Sequence, residues 1–233
     1  MKKTVLLGCF MAAALISCKE ESALDIVNKS LEFHGGLEAW KAVDALTYQK
    51  EEWLYFDNDS LESYTNRTYT HPLTEVEPIS MTWTMADTLY KVQNDGKGVL
   101  ANFPLTEDEK AAFESSLKAA PYTLCQPYKL LADADMLVRL PDDKLEDTPV
   151  YTVAIDYINE DGSPGNSWKY YFNKENYRME GAFVKHGTTY AYVRNLEYET
   201  TTGLSLNAKR ISYRVDSLRN IQYVRGRYTY TYK

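Results

Sequence analysis

The chain has 233 residues and a formal net charge of -7, and its lysines and arginines form no cluster. An acidic chain without a basic patch does not suit nucleic acid, so no such partner is expected. Hydrophobic residues make up 44% of the sequence, enough for a buried core, and 20 tyrosines against 7 phenylalanines lean the composition toward half-buried pleated surfaces.

The first feature along the chain is an apolar run of 13 residues, Thr4 to Ile16, preceded by Lys2 and Lys3. A membrane-spanning helix needs about 20 apolar residues. A charged start, a short apolar run and small residues before a cut site describe a secretory signal peptide instead. Its end, Leu15-Ile16-Ser17-Cys18, resembles the lipobox of bacterial lipoproteins. That resemblance implies removal of residues 1–17, a diacylglyceryl thioether on Cys18 and an acyl group such as palmitate on the new amine. One chain anchors only marginally, whereas two or more hold stably. The implied partner is therefore a membrane, reached through the lipid on Cys18. The implied location is the outer membrane of a Gram-negative bacterium, on its periplasmic or its outer face.

Residues 18–21 read as a lipidated tether. Its Lys19-Glu20-Glu21 resembles the surface-export signal of lipoproteins in some Gram-negative lineages, although a charged, solvated tether would look the same. With Cys9 in the signal and Cys18 acylated, Cys125 has no disulfide partner and reads as a small buried hydrophobe.

Residues 22–233 read as one domain. Ser22 and Asp25 form a capping box, and Leu24, Val27, Leu31 and His34 recur at helical spacing until Gly35 stops the helix. Here His34 reads as a helix-end residue set against the C-terminal dipole. A short second helix over Leu37–Val43 carries Trp40. Five strands follow: Leu46–Phe56, Leu61–His71, Ile79–Met85, Thr88–Gln93 and Gly98–Ala101. The turn Asp57-Asn58-Asp59-Ser60 joins the first two. Thr106 and Glu109 cap a second long helix that runs to Ala120, before Pro121. A proline-punctuated stretch with short helical pieces comes next. The second half returns to strands at Val150–Tyr157, Trp168–Asn173, Arg178–Lys185, Thr188–Glu199, Leu204–Arg214 and Ile221–Tyr232.

About eleven antiparallel strands with so little helix predict a mainly β (α+β) chain whose sheet curves strongly around its helices. Side chains alternate along a strand, so Tyr151, Val153, Ile155 and Tyr157 share one face, as do Trp168, Tyr170 and Phe172.

The helix ending in His34-Gly35-Gly36, the following Leu37-x-x-Trp40 and the segment Gln126-Pro127-Tyr128-Lys129-Leu130-Leu131 carry a family likeness. Together with the strands they resemble the LolA/LolB-like lipoprotein-carrier superfamily, in particular a bacterial lipoprotein branch of it. The resemblance implies an eleven-stranded half-barrel whose open side is plugged by helices, with an apolar cavity for acyl chains. A chain with its own lipobox departs from the soluble carrier, which favours a membrane-fixed receptor or sensor over a shuttle.

The expected function is non-enzymatic binding of an apolar ligand, with Trp40, Tyr151, Val153, Ile155, Trp168, Tyr170 and Phe172 as candidate wall residues. The competing expectation for those residues is that they pack against the Thr106–Ala120 helix and leave no space. The alternative function is a surface carbohydrate-binding or adhesion lipoprotein that presents exposed aromatics. No catalytic motif, metal site or cofactor is read from the sequence; Asp133 and Asp135 read as solvated charges. Asp59-Ser60-Leu61, Asp87-Thr88-Leu89 and Asp216-Ser217-Leu218 resemble sites at which some Gram-negative bacteria O-glycosylate exported proteins.

Overall fold

A computed structural model describes residues 20–73, 78–159 and 161–233. The signal segment, Cys18 and Lys19 lie outside the described residues. Helix α1 (Ala23–Phe33) starts at the expected capping box: Ser22 Oγ accepts from the Asp25 amide at 3.1 Å, and the Asp25 carboxylate accepts from the Ser22 amide. It buries Ala23, Ile26, Val27 and Leu31 along one stripe. Helix α2 (Leu37–Lys41) follows and buries Trp40.

The strands are β1 (Ala45–Tyr55), β2 (Leu61–Pro72), β3 (Ile79–Met85), β4 (Thr88–Asn94), β5 (Val99–Ala101), β6 (Val138–Leu145), β7 (Thr148–Ile158), β8 (Pro164–Asn173), β9 (Met179–His186), β10 (Thr189–Tyr198), β11 (Asn207–Val215) and β12 (Ile221–Tyr232). All twelve belong to one open antiparallel sheet, strongly curved into a half-barrel. Its central seam pairs β1 with β12 over Tyr48↔Tyr232 to Leu54↔Gly226. From that seam β2 to β5 run out to one edge, and β11 back to β6 run to the other.

Consecutive strands β5 and β6 are thus the two edges of the sheet. The chain between them crosses the whole concave side, as helix α3 (Glu107–Leu124) and the 3-10 segment Tyr128–Met136. One core gathers Leu31, Trp40, Tyr48, Tyr69, Met81, Leu117, Leu124 and Tyr230, and Cys125 is fully buried in it. A second gathers Ile26, Val27 and Leu130 with Val153, Ile155, Tyr170, Phe172 and Ala182. A smaller third, built on Tyr171, Phe183 and Tyr192, lies on the opposite face of the sheet.

The twelfth strand is β6, which the sequence reading left inside the helical stretch. Pro141-Asp142-Asp143 interrupts the alternation there, and the pairing with β7 shifts register between Leu140 and Asp143. An edge strand tolerates a proline and a bulge, so pairing persists where the pattern is lost. Helix α3 also runs past Pro121, its expected stop. The proline gives up one helix bond, but continuing the helix buries Leu124 at 1% exposure. In turn, β11 starts at Asn207 rather than Leu204, because Leu204 and Leu206 are buried as a loop over the first core.

That loop explains the glycine pair. Gly35 has φ +101°, and a Cβ there would lie 2.5 Å from the carbonyl oxygen of Gly203. Both the backbone conformation and the close approach exclude a side chain. Gly35→Ala should lower stability by about 1–3 kcal/mol, read as a drop in urea midpoint. A variant within error of the parent would contradict this contact.

Candidate ligand-binding groove

Only part of the concave face is filled. Helix α1 and Leu130 cover the strands β7 to β9 at one end, while α3 packs on β3, β4 and β5 near the other. Between them α3 flanks an open groove of about 760 Å³. Its helical wall is Ala111, Ser115, Lys118, Ala119 and Tyr122, and its sheet wall is Tyr157, Trp168 and His186. Trp168 stacks on Tyr170 at 5.7 Å, and Tyr122 tilts against it at 5.6 Å.

Tyr122 and Tyr157 in the groove wall lead into a chain of hydroxyl hydrogen bonds behind it. Tyr157 donates to Asp133 Oδ2 at 2.7 Å, while the Tyr122 hydroxyl lies 2.9 Å from that of Tyr157 and 2.5 Å from that of Tyr170. Gln126 Nε2 donates to the Tyr170 hydroxyl at 3.3 Å. Burial, and then these neighbours, hold the Tyr157 and Tyr170 hydroxyls far above the usual tyrosine range, so both stay protonated. Asp133, expected to be solvated, is instead half-buried as the end acceptor of this chain. At the rim, Lys118 pairs with Glu114 at 2.8 Å, and His186 Nδ1 meets Asn166 Oδ1 at 2.8 Å.

A second cavity of about 290 Å³ shares Ala119 and Thr123 with the groove and lies over the central strands. Its walls include Lys50, Glu52, Arg210, Tyr228 and Tyr230. Lys50 and Glu52 pair at 2.6 Å, and the Lys50 ammonium stands 5.0 Å above the Tyr228 ring. A third, of about 440 Å³, shares Ser116 with the second and holds Arg67 against the Trp83 ring at 5.1 Å.

Of the seven wall residues expected from sequence, Trp168 alone lines the main groove. Val153, Ile155, Tyr170 and Phe172 are at most 1% exposed and sit under α1 and Leu130, with the Tyr170 hydroxyl also reaching Tyr122 of α3. Tyr151 stacks on Tyr177 at 5.5 Å, with Arg139 and Lys174 over its ring. Trp40 is 1% exposed, stacks on Tyr128 at 5.0 Å and donates its indole N–H to the His34 carbonyl. Sequence reasoning missed Tyr122, Lys118, Lys50 and Arg210. One signal was present: Tyr48, Lys50 and Glu52 share a strand face, so the apolar alternation turns ionic midway along β1.

None of the four tryptophans is exposed, and among the described residues the exposed aromatics are Phe33, Phe56 and Tyr64. Ser60, Thr88 and Ser217 are all exposed, in turns or at a strand start. Glu21 is docked on the body rather than free, bonding Lys29 and the Tyr177 hydroxyl. Among the described residues no helix is long and apolar enough to cross a membrane. Nor does any group of three or more His, Cys, Asp or Glu among them form a metal cluster.

His34 is a correction. Its ring is 1% exposed, with Nδ1 2.8 Å from the Ser205 carbonyl and Nε2 accepting from the Met179 amide. That pattern requires the neutral tautomer protonated on Nδ1. Burial lowers its pKa to about 4, so no cation faces the helix dipole. His71 is also buried, with both ring nitrogens unpartnered and a pKa lowered to about 4 by burial.

No family model matches the chain, and no curated protein matches it in sequence. Among solved structures, it resembles a LolA superfamily protein from Nitrosomonas europaea at TM-score 0.53 and 12% identity, over 91% of this chain and 92% of that one. A domain of Vibrio parahaemolyticus assigned to outer-membrane lipoprotein sorting aligns at TM-score 0.47 and 11% identity, over 89% and 93%. A DUF1329 family protein from Desulfovibrio piger aligns at TM-score 0.45 and 7% identity, over 90% and 91%. The chain therefore shares the curved half-barrel fold of that LolA superfamily protein.

The histidines generate a pH prediction. Both have folded pKa values below the ordinary 6.5, so their neutral forms favour the folded state above that value. This stability should fall away as pH drops from 6.5 toward 4, by on the order of 2–3 kcal/mol per histidine. Urea midpoints at pH 7 and pH 4.5 measure it. His71→Leu, which removes two unpartnered nitrogens, should shrink the loss; an unchanged pH slope would refute the role given to His71.

Proposed function

We propose that this chain is a non-enzymatic lipoprotein, fixed to the outer membrane through Cys18, that holds a single apolar chain in the groove beside α3. The observation that carries the reading is the groove itself. At about 760 Å³ it falls within the roughly 300–1,000 Å³ usual for small-molecule sites, which are mostly apolar with a few orienting polar groups. Trp168, Tyr122, Ala111 and Ala119 supply the apolar wall, and the tyrosine hydroxyls supply the polar groups. The LolA-like fold supports a carrier or receptor role by analogy of architecture.

Native mass spectrometry of the full chain, extracted in mild detergent and given hexadecanol, should detect one bound alcohol. Ala119 is exposed on α3 and faces two of the cavities. Ala119→Trp should therefore abolish binding with little change in melting temperature. Val153→Trp should behave the opposite way, because Val153 is 0% exposed; overpacking such a site costs about 1–3 kcal/mol. If Ala119→Trp binds hexadecanol as the parent does, the groove is not the site.

The anchor has its own test. Wild-type protein should partition with membranes and carry the acyl mass on Cys18, while Cys18→Ala should be released from them. A Cys18→Ala chain that stays membrane-bound would remove the lipid anchor from this account.

A further inference from the structure

The concave interior is unexpectedly cationic for an acidic protein. Three cations line two neighbouring cavities under α3 that share Ser116: Arg67 on β2, Lys50 opposite it on β1, and Arg210 on β11 opposite Tyr228. The carboxylate beside them, Glu52, is taken by Lys50 at 2.6 Å. Glu109 lines the Arg67 cavity, but its carboxylate accepts from the Thr106 amide and hydroxyl, closing the helix cap.

Arg210 is the unusual group. It is 7% exposed, and among the described residues Glu180 is the only other buried Asp, Glu, Lys or Arg. Glu180 has its counter-ion, Arg178, at 2.8 Å. Arg210 instead donates Nε–H to Asn195 Oδ1 at 3.1 Å and an Nη1–H to the Thr123 carbonyl at 3.4 Å, both neutral acceptors. Elsewhere Arg139, Arg178, Arg194, Arg219 and Arg225 all pair with carboxylates. No carboxylate among the described residues pairs with Arg210 or Arg67.

A buried guanidinium without a counter-ion is costly. It becomes favourable when an anion completes it, because the fork of N–H donors matches carboxylate and phosphate oxygens. The bonds to Asn195 and Thr123 hold Arg210 in place on the wall of the cavity that shares Ala119 and Thr123 with the apolar groove.

We infer that Arg210, assisted by Lys50, is the headgroup site of an anionic single-chain amphiphile, whose carboxylate or phosphate monoester sits in the central cavity while its tail lies in the Trp168 groove. This rests on the groove reading above and adds to it the polarity and orientation of the ligand. The helix then lies across the ligand, with Ala119 and Thr123 at the junction of head and tail. A neutral alcohol would fill the groove yet leave the guanidinium uncompensated.

The test offers the detergent-extracted full chain an equimolar mixture of palmitate, hexadecyl phosphate and hexadecanol, read by native mass spectrometry. The parent protein should hold at least one of the two anions about tenfold over the alcohol. A preference between the two anions assigns the headgroup as a carboxylate or a phosphate. Arg210→Gln should bring the anion-to-alcohol ratio close to one without lowering hexadecanol uptake, and Arg210→Lys should restore part of the preference. Equal binding of all three by the parent would overturn the inference while leaving the apolar groove intact, and so would an unchanged ratio in Arg210→Gln. Should Arg210→Gln fold poorly, the parent's own ratio and that of Lys50→Gln, expected to fall in the same direction, still decide. Failure of the parent to bind any of the three would overturn the groove reading and this inference together.

Discussion

Everything in this molecule follows from having to cover the concave face of a sheet that curves but never closes. A closed barrel fills its interior with its own side chains, whereas an open one leaves a trough of apolar and aromatic residues facing water. The order of strands dictates the remedy. Because β5 and β6 are sequence neighbours at opposite edges, the residues linking them must traverse the trough, and they do so as α3 and the 3-10 segment. The linker is thereby also the lid. Helix α1 joins Leu130 of the linker in sealing one end, over Val153, Ile155, Tyr170 and Phe172.

The cover is incomplete in a patterned way. Where α1 and Leu130 lie on the sheet, side chains interlock and exposure falls to nearly zero. Beside α3 the helix presents alanines and serines, Ala111, Ser115, Ser116 and Ala119, and short side chains leave space against Trp168 and the central tyrosines. The same stretch of sheet carries Lys50, Glu52 and Arg210. A cavity that is roomy, aromatic and internally charged does not arise from packing economy, since large apolar residues on α3 and β11 would close it and remove the burial cost of the ions.

Much of the fold was legible because its signals are local. Both capping boxes, Ser22 with Asp25 and Thr106 with Glu109, involve residues three apart, and they mark the helix starts correctly. Alternation located most of the strands for the same reason. The strand Val138–Leu145 was lost because its pairing survives a proline and a bulge that erase the pattern. The site was less legible. Alternation correctly put Val153, Ile155, Trp168, Tyr170 and Phe172 on the concave face, but which helix covers which stretch is a long-range matter. Trp168 and Tyr157 line the groove, whereas Val153, Ile155, Tyr170 and Phe172 on that face are buried beneath α1 and Leu130. Likewise, His34 looked like a cation at a helix end, and only the approach of Ser205 and Met179 from distant sequence makes it a neutral linchpin.

The central seam between β1 and β12 has a consequence for how this chain reaches its folded form. Those strands are separated by nearly the whole of the sequence between Ala45 and Tyr232. Each half of the sheet can meander locally, but their union waits for the final strand, a contact of very high sequence separation and correspondingly slow to form. Until β12 arrives, β1 and β11 are unpaired edges, the kind of exposed template on which strands from other chains can add. Folding is therefore most vulnerable to misassembly before the last twelve-residue strand is in place, and a chaperone that shielded β1 at that stage would act at the one place where the two halves must still find each other.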